Sequence, residues 1–168
     1  MTFDLSTFAA ALADLPTLLA SPAGWHGLAI DYHPPRVDRA WRAWRDCRLA
    51  IHRIYPCAPG EALFHPHPWP SIVHLVTGRY AMNLGRGPGL APPPIAAHVI
   101  ASAGTTYAML DPDAWHDVRP LDAPTLSIML SGPPWQRAVP VEPEVPLSPL
   151  NGDALAALIA DAARMMAR

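Results

Sequence analysis

The chain has 168 residues, a mass of 18.1 kDa and a formal net charge of −2, with 51% hydrophobic and 15% charged residues. This size and composition fit one domain with its own core, and they exclude a disordered chain and a nucleic-acid or membrane partner held by bulk charge. The 22 prolines exclude a mainly helical bundle, and the absence of lysine excludes Schiff-base chemistry.

The cellular setting is predicted from the cysteines and the apolar runs. Cys47 and Cys57 are too few for a disulfide framework, no signal-peptide pattern opens the chain, and no apolar run is long enough to span a bilayer. We therefore expect a cytoplasmic protein in a reducing environment.

The predicted elements begin with a helix over residues 1–20, where apolar residues recur every three or four positions. Residues 24–40 are rich in turn formers. Residues 37–55 fit either a helix or a strand, and the alternation over 48–55 favours a strand there. Segments separated by Gly- and Pro-containing turns predict further strands over residues 71–76, 79–84, 97–101, 107–110 and 126–130. Short strands at this spacing are typical of an antiparallel sandwich or barrel.

The C-terminal part differs in composition from the strand region. Residues 133–149 carry six prolines and predict an extended tail, and residues 154–166 predict a helix. The expected organisation is therefore an N-terminal helical or irregular segment over 1–47, a mainly β barrel over 48–132, and a tail with a helix over 133–168.

Two histidines separated by a single proline, His65 and His67, form the most informative motif. Alternate residues of a strand point the same way, so both imidazoles can reach one metal ion. The prolines beside them predict an edge strand or barrel rim, where an open metal site must lie. His116, which follows a Gly turn, an apolar strand and a Pro-containing turn, is the best third ligand. His74 is expected on the opposite strand face and is kept as an outside candidate ligand, since a bulge could reverse it.

These residues resemble the cupin superfamily over about residues 48–132. Its first motif reads here as Gly60, His65, His67, Ser71 and Gly78, and its second as Gly104, Pro112, His116 and Pro120, with altered spacings. The resemblance implies a cupin-like double-stranded β-helix barrel, here with an N-terminal and a C-terminal helix, and one divalent metal ion in its mouth. Ser71 stands where most metal cupins carry Glu, so the implied ligand set is three neutral imidazoles.

A cupin with three histidines resembles the thiol dioxygenases, which implies Fe(II) as the favoured metal and O2 as a partner of the reaction. Zn, Ni, Mn and Cu remain open, because three imidazoles discriminate weakly between these metals. The segment 127–131 has a serine but lacks the histidine and tyrosine that this branch carries near its metal. Thiol specificity is therefore not inferred.

Arg53 and Tyr55 share one face of the strand before the histidine pair. They are the predicted catalytic residues, holding the polar or anionic end of a small-molecule substrate. Further residues expected to line the substrate pocket are Trp69, Ser71, Tyr80 and Trp115, with core packing as the alternative for the aromatic ones. Exposed barrel edges and the apolar terminal helix also predict a homodimer.

The sequence favours a mononuclear metal-dependent enzyme, an Fe(II) dioxygenase acting on a small polar organic substrate. Two alternatives remain open. One is a non-redox isomerase, lyase or hydrolase that uses Zn, Ni or Mn as a Lewis acid. The other is a cupin that binds a small molecule without turnover.

Overall fold

A computed structural model describes residues 3–136 and 146–167. Part of the predicted proline-rich tail, residues 137–145, lies outside the described residues. The described chain forms two helices, α1 (Leu5–Leu19) and α2 (Gly152–Met166), and eleven strands: β1 (His26–Ile30), β2 (Val37–Trp44), β3 (Cys47–Ile54), β4 (His65–Pro66), β5 (Ser71–Thr77), β6 (Arg79–Arg86), β7 (Ile95–Ser102), β8 (Thr106–Met109), β9 (Ala114–His116), β10 (Arg119–Pro120) and β11 (Thr125–Ser131).

Two antiparallel sheets with terminal helices make the fold mainly β, as predicted. The first sheet has six strands in the order β1-β2-β3-β11-β5-β8. In the second sheet, β6 pairs with β7, β9 and β10, and β9 also pairs with β4. Neither helix has the length and hydrophobicity needed to cross a membrane.

The barrel starts before residue 48, which corrects the expected boundary. β1 and β2 pair with each other inside the segment that was expected to be helical or irregular. β2 then pairs with β3 along its whole length, from Val37↔Ile54 to Trp44↔Cys47. The strand alternative therefore holds from residue 37 onwards, because this pairing satisfies the backbone groups of β2 within the sheet.

The helices begin where side chains cap them. The carboxylate of Asp4 accepts a hydrogen bond from the backbone N–H of Thr7, and the amide oxygen of Asn151 accepts one from Ala154. Such caps satisfy donors that have no partner within a helix. Both helices pack on one face of the six-stranded sheet, here called the outer face, in a core that includes Leu15, Leu158, Leu49, Ile51, Ile72, Ile128 and Leu130.

The opposite face of that sheet, here called the inner face, turns toward the second sheet. Ala50, Val73 and Met129 pack together on it. Leu75 continues this face into a second cluster with Tyr80 of β6. Side chains alternate between the two faces along each strand, so neighbouring positions of β2, β3 and β11 point alternately to the outer and the inner face.

β7 differs from the other long strands because most of it is exposed. It pairs with β6 and with no other strand in the described ranges, and Ile95, Val99 and Ile100 are at least one-third exposed. An apolar edge of this kind is available for pairing with another chain. The predicted homodimer stays a prediction.

Candidate metal centre

The structure brings the three predicted metal ligands together. His65, His67 and His116 each offer a ring nitrogen, and these nitrogens lie within 4.8 Å of one another. His65 in β4 is the direct cross-strand partner of His116 in β9, and His67 follows β4 immediately. The pairing of β4 with β9 is thus what carries His116 back to the histidine pair.

Two of the imidazoles are held through their outer nitrogens. His65 Nδ1 lies 2.9 Å from the carbonyl oxygen of Leu63, to which it can only donate. His67 Nδ1 lies 2.6 Å from the hydroxyl oxygen of Ser71. A proton on Nδ1 leaves the Nε2 lone pair free, which is the arrangement found in metal-ligating histidines.

The inner nitrogens have a spacing that suits a metal ion. His67 Nε2 and His116 Nε2 are 2.9 Å apart. Two nitrogens bound at right angles, about 2.1 Å from one metal, would be about 3.0 Å apart, and a tetrahedral angle would give about 3.4 Å. His116 Nδ1 is buried without a hydrogen-bond partner among the described residues, so Nε2 is the nitrogen through which this ring interacts. The donor set therefore fits a divalent metal ion.

The electrostatics of the cluster keep the imidazoles neutral. Burial lowers the pKa of all three below the ordinary value of 6.5, and charges on neighbouring groups lower it further. At His65 the hydrogen bond to Leu63 opposes this effect. Neutral imidazole is the form that binds metals, so the site does not have to release protons at neutral pH before a metal binds.

The cluster lies in the wall of a cavity of about 340 Å³. This volume is at the small end of the range for sites that bind small molecules. Apolar side chains such as Ile54, Val73 and Met129 make up much of the wall. Within the described ranges, no Asp or Glu lines the cavity or joins the histidine cluster.

Of the four residues expected to line the pocket, Trp69 alone reaches the cavity wall. Ser71 is buried behind His67 and acts on that ring. Trp115 is 2% exposed and packs away from the cavity, because it precedes His116 on the same strand and so points the other way. Tyr80 is fully buried in the core between the sheets. Trp115 and Tyr80 therefore pack in the core, which was the alternative expected for the aromatic residues.

The structure requires a correction for Arg53 and Tyr55. They lie on one side of the sheet, as expected, but it is the outer side. The Arg53 guanidinium pairs with the carboxylate of Asp161 in α2, and the Tyr55 hydroxyl donates to the carboxylate of Asp38 at 2.7 Å. Neither residue lines the cavity, so neither is placed to contact a substrate bound there.

His74 also lies outside the histidine cluster. Its Nδ1 is 2.8 Å from the hydroxyl oxygen of Thr106, on a different face of β5 from Val73. No bulge turns it toward the metal site, because β5 pairs regularly with β8 and β11 from Ser71 to His74. The register shift in the pairing of β5 with β11 comes later, near Leu126. His74 is therefore not placed to bind a metal held by the cluster, and it provides a control position for substitutions of the three histidines.

Sequence reasoning missed Arg39 and His52, which both line the cavity. They are direct cross-strand partners on β2 and β3, and Arg39 Nε donates to His52 Nε2 at 2.8 Å. The alternation of Val37–Trp44 carried the signal, because a strand there places Arg39 beside the strand that contains His52.

Comparison with solved structures identifies the fold. Hydroxypropylphosphonic acid epoxidase from S. wedmorenis matches 66% of this chain and 56% of its own, with 13% identity and a TM-score of 0.51. FeII HppE matches 66% of this chain and 58% of its own, with 11% identity and a TM-score of 0.52. KdgF from Halomonas sp. matches 62% of this chain and 86% of its own, with 18% identity and a TM-score of 0.46.

The first two similarities span less than two thirds of the length of those proteins and, at such low identity, show the fold alone. They support a cupin-like fold, as the motifs predicted, and give no support to the thiol dioxygenase resemblance. No protein-family model and no curated protein matches the chain.

Proposed function

We propose that this protein is a mononuclear metal-dependent enzyme that uses Fe(II) and O2 to oxidise a small polar organic substrate. The observation that carries the proposal is the cluster of three neutral imidazoles in the wall of a cavity. Among the described residues, no carboxylate belongs to this cluster. The similarity in fold to FeII HppE supports iron as the first metal to test.

The residues of this chain have separate tasks in the proposed reaction. His65, His67 and His116 would hold the metal, while Leu63 and Ser71 fix the orientation of two of the rings. When bound, the metal would supply open coordination positions for substrate and O2 and the redox chemistry that couples them. The apolar wall excludes water and orients the substrate, which lowers the entropic part of the barrier.

Non-redox chemistry with Zn, Ni or Mn is the second candidate, because three histidines also form the ligand set of catalytic zinc sites. Binding of a small molecule without turnover is the third.

The test starts with metal analysis of the purified protein. Fe(II) is then added to metal-free protein under argon, oxygen is admitted with a panel of small hydroxy and amino acids, and oxygen uptake is recorded. We expect about one metal per chain and substrate-dependent uptake for the wild type and for the control His74→Ala. His116→Ala should show neither, with a folded circular dichroism spectrum.

The alternatives give different results in the same experiment. Bound zinc with isomerisation or hydrolysis of a substrate, and no oxygen uptake above the metal-free background, would favour the non-redox enzyme. A folded wild type that retains no metal would contradict both metal-dependent functions and favour a binding protein.

A further inference from the structure

We propose that the cavity selects substrates that carry an oxyanion, a carboxylate or a phosphonate, and that Arg39 is the residue that binds this group. The inference rests on the proposed function, since it names the substrate class of the same cavity. It replaces the expected role of Arg53 with a residue that the structure places in the wall.

Arg39 is a cation without a neutralising partner in residues 3–136 and 146–167. Its one hydrogen bond there runs from Nε to His52, and no carboxylate pairs with it. Burial and the nearby charge of Arg48 lower its pKa to about 10, so it stays protonated at neutral pH. Arg39 is partly buried, and a charge shielded from water without a counter-ion is unfavourable. An anionic ligand would relieve that cost.

The contact with His52 sets the orientation of the guanidinium. Because Nε is already engaged, the two terminal nitrogens remain for a ligand. Their N–H groups form a planar fork that binds two oxygens of a carboxylate, phosphate or phosphonate at once. His52 accepts through Nε2 and is therefore neutral, so it adds no second charge beside Arg39.

Two more polar groups in the wall lack partners. Trp69 Nε1 and Ser127 Oγ are both buried and have no hydrogen-bond partner among the described residues. Ser127 is the cross-strand partner of His52, which is in turn the partner of Arg39. Arg39, His52 and Ser127 thus form a row across β2, β3 and β11. An indole N–H can only donate and a hydroxyl can donate, so both suit an acceptor-rich ligand.

The wall has no opposing charge in its described part. No Asp or Glu lines the cavity there, so Arg39 gives it a positive potential before any metal is counted. A cavity of one charge sign concentrates ligands of the opposite sign and disfavours cations. Arg53, on the other face of the neighbouring strand, is already paired with Asp161 and offers no such field.

The test compares an anion with its neutral isostere. Benzoate, phenylphosphonate and benzamide are titrated by calorimetry into the full chain, both metal-loaded and after treatment with a chelator. We expect benzoate or phenylphosphonate to bind at least about tenfold more tightly than benzamide in both forms. The stronger of the two anions shows which oxyanion geometry the site prefers.

Substitutions then assign the effect to Arg39. Arg39→Gln should weaken binding of the preferred anion about 30-fold, and Arg39→Lys should restore part of it, because lysine keeps the charge and loses the planar fork. Arg53→Gln is the matched control. It removes a guanidinium from the outer face and should bind the anions as the wild type does.

Equal affinity of the wild type for the anions and benzamide would overturn the inference. So would unchanged anion affinity in folded Arg39→Gln. If Arg39→Gln does not fold, the comparison of ligands in the wild type still decides. Metal content, measured on the same samples, separates the two proposals. If the chain prefers anions but binds no metal, the inference about Arg39 stands and the proposed function fails. If it binds metal but does not prefer anions, the proposed function stands and the inference fails.

Discussion

Both faces of the six-stranded sheet carry an arginine, but one face is covered by the helices and the other borders the cavity. On the outer face, Leu49 and Ile128 are sealed beneath the helices, and Arg53 is neutralised by a carboxylate from α2. On the inner face, Arg39 and His52 border a cavity and meet no carboxylate among the described residues. The role of an arginine in this fold therefore depends on the layer that its face of the sheet meets, and not on its place along the strand.

The largest expected effect belongs to the outer face. Leu49→Ala should lower the free energy of unfolding by about 2–5 kcal/mol, because Leu49 is fully buried and its removal leaves a cavity. Val73→Ala on the inner face should cost less, since Val73 already borders open volume. Denaturation in urea measures both. A loss of metal affinity in Leu49→Ala would show that the two faces are not independent.

A smaller effect is expected behind the metal site. Ser71→Ala should reduce metal affinity about 10–100-fold, because it removes the group that orients His67. Ser131 lies directly across from Ser71 on β11, and its buried hydroxyl has no partner in the described chain. Ser131→Ala is therefore the matched control and should bind metal normally. Competition with a metal indicator dye measures both affinities, and equal losses would contradict the proposed role of Ser71.

The pH dependence of stability should also report on the inner face. Burial lowers the folded-state pKa of His52 and of the three clustered histidines below 6.5, their ordinary value. Below pH 6.5 the unfolded chain therefore binds more protons than the folded one. The metal-free protein should lose stability as the pH falls from 6.5 toward the lowered values, and should show no such loss from these groups above 6.5. Urea denaturation at several pH values measures this. Constant stability on acidification would contradict it.

The smallest effect is expected for the ion pair of the outer face. The Arg53 and Asp161 side chains are 21% and 36% exposed, and ion pairs of this kind contribute about 0–1 kcal/mol. Arg53→Gln should therefore lower the free energy of unfolding by less than about 1 kcal/mol, since Asp161 keeps its contact with Arg164. Thermal denaturation measures this change. A larger loss would mean that this pair anchors α2 to the sheet.

Local patterns predicted much of the fold and the histidine cluster. The pair His65 and His67 needs only the two-residue period of a strand, and the Gly and Pro turns before His116 mark where the chain comes back. The N-terminal helix follows from its apolar spacing, and the C-terminal helix from an Ala- and Met-rich segment that opens at a capping residue. In each case the information lies within a few residues of the feature.

The anion-binding wall could not be predicted in this way. Trp41 and Trp44 are three residues apart, which also fits a helix, so β2 becomes clear only once it pairs with β3. Alternation shows which residues of β3 share a face, but not which face turns inward. Four consecutive residues of β3 are all buried: Leu49, Ala50, Ile51 and His52. The strand therefore lacks the alternation of polar and apolar residues that marks a solvent-exposed face. The choice between Arg39 and Arg53 depends on contacts between distant elements.

β4 is only two residues long, and one of them, Pro66, has no backbone N–H to donate to β9. The other residue of β4, His65, is a proposed metal ligand, and its cross-strand partner, His116, is a second one. A cation shared by His65 and His116 would therefore crosslink β4 to β9 where the backbone makes few hydrogen bonds. Backbone amides in residues 63–69 should then exchange with deuterium more slowly in the loaded protein than in the chelated one, so that metal occupancy could be followed without any substrate.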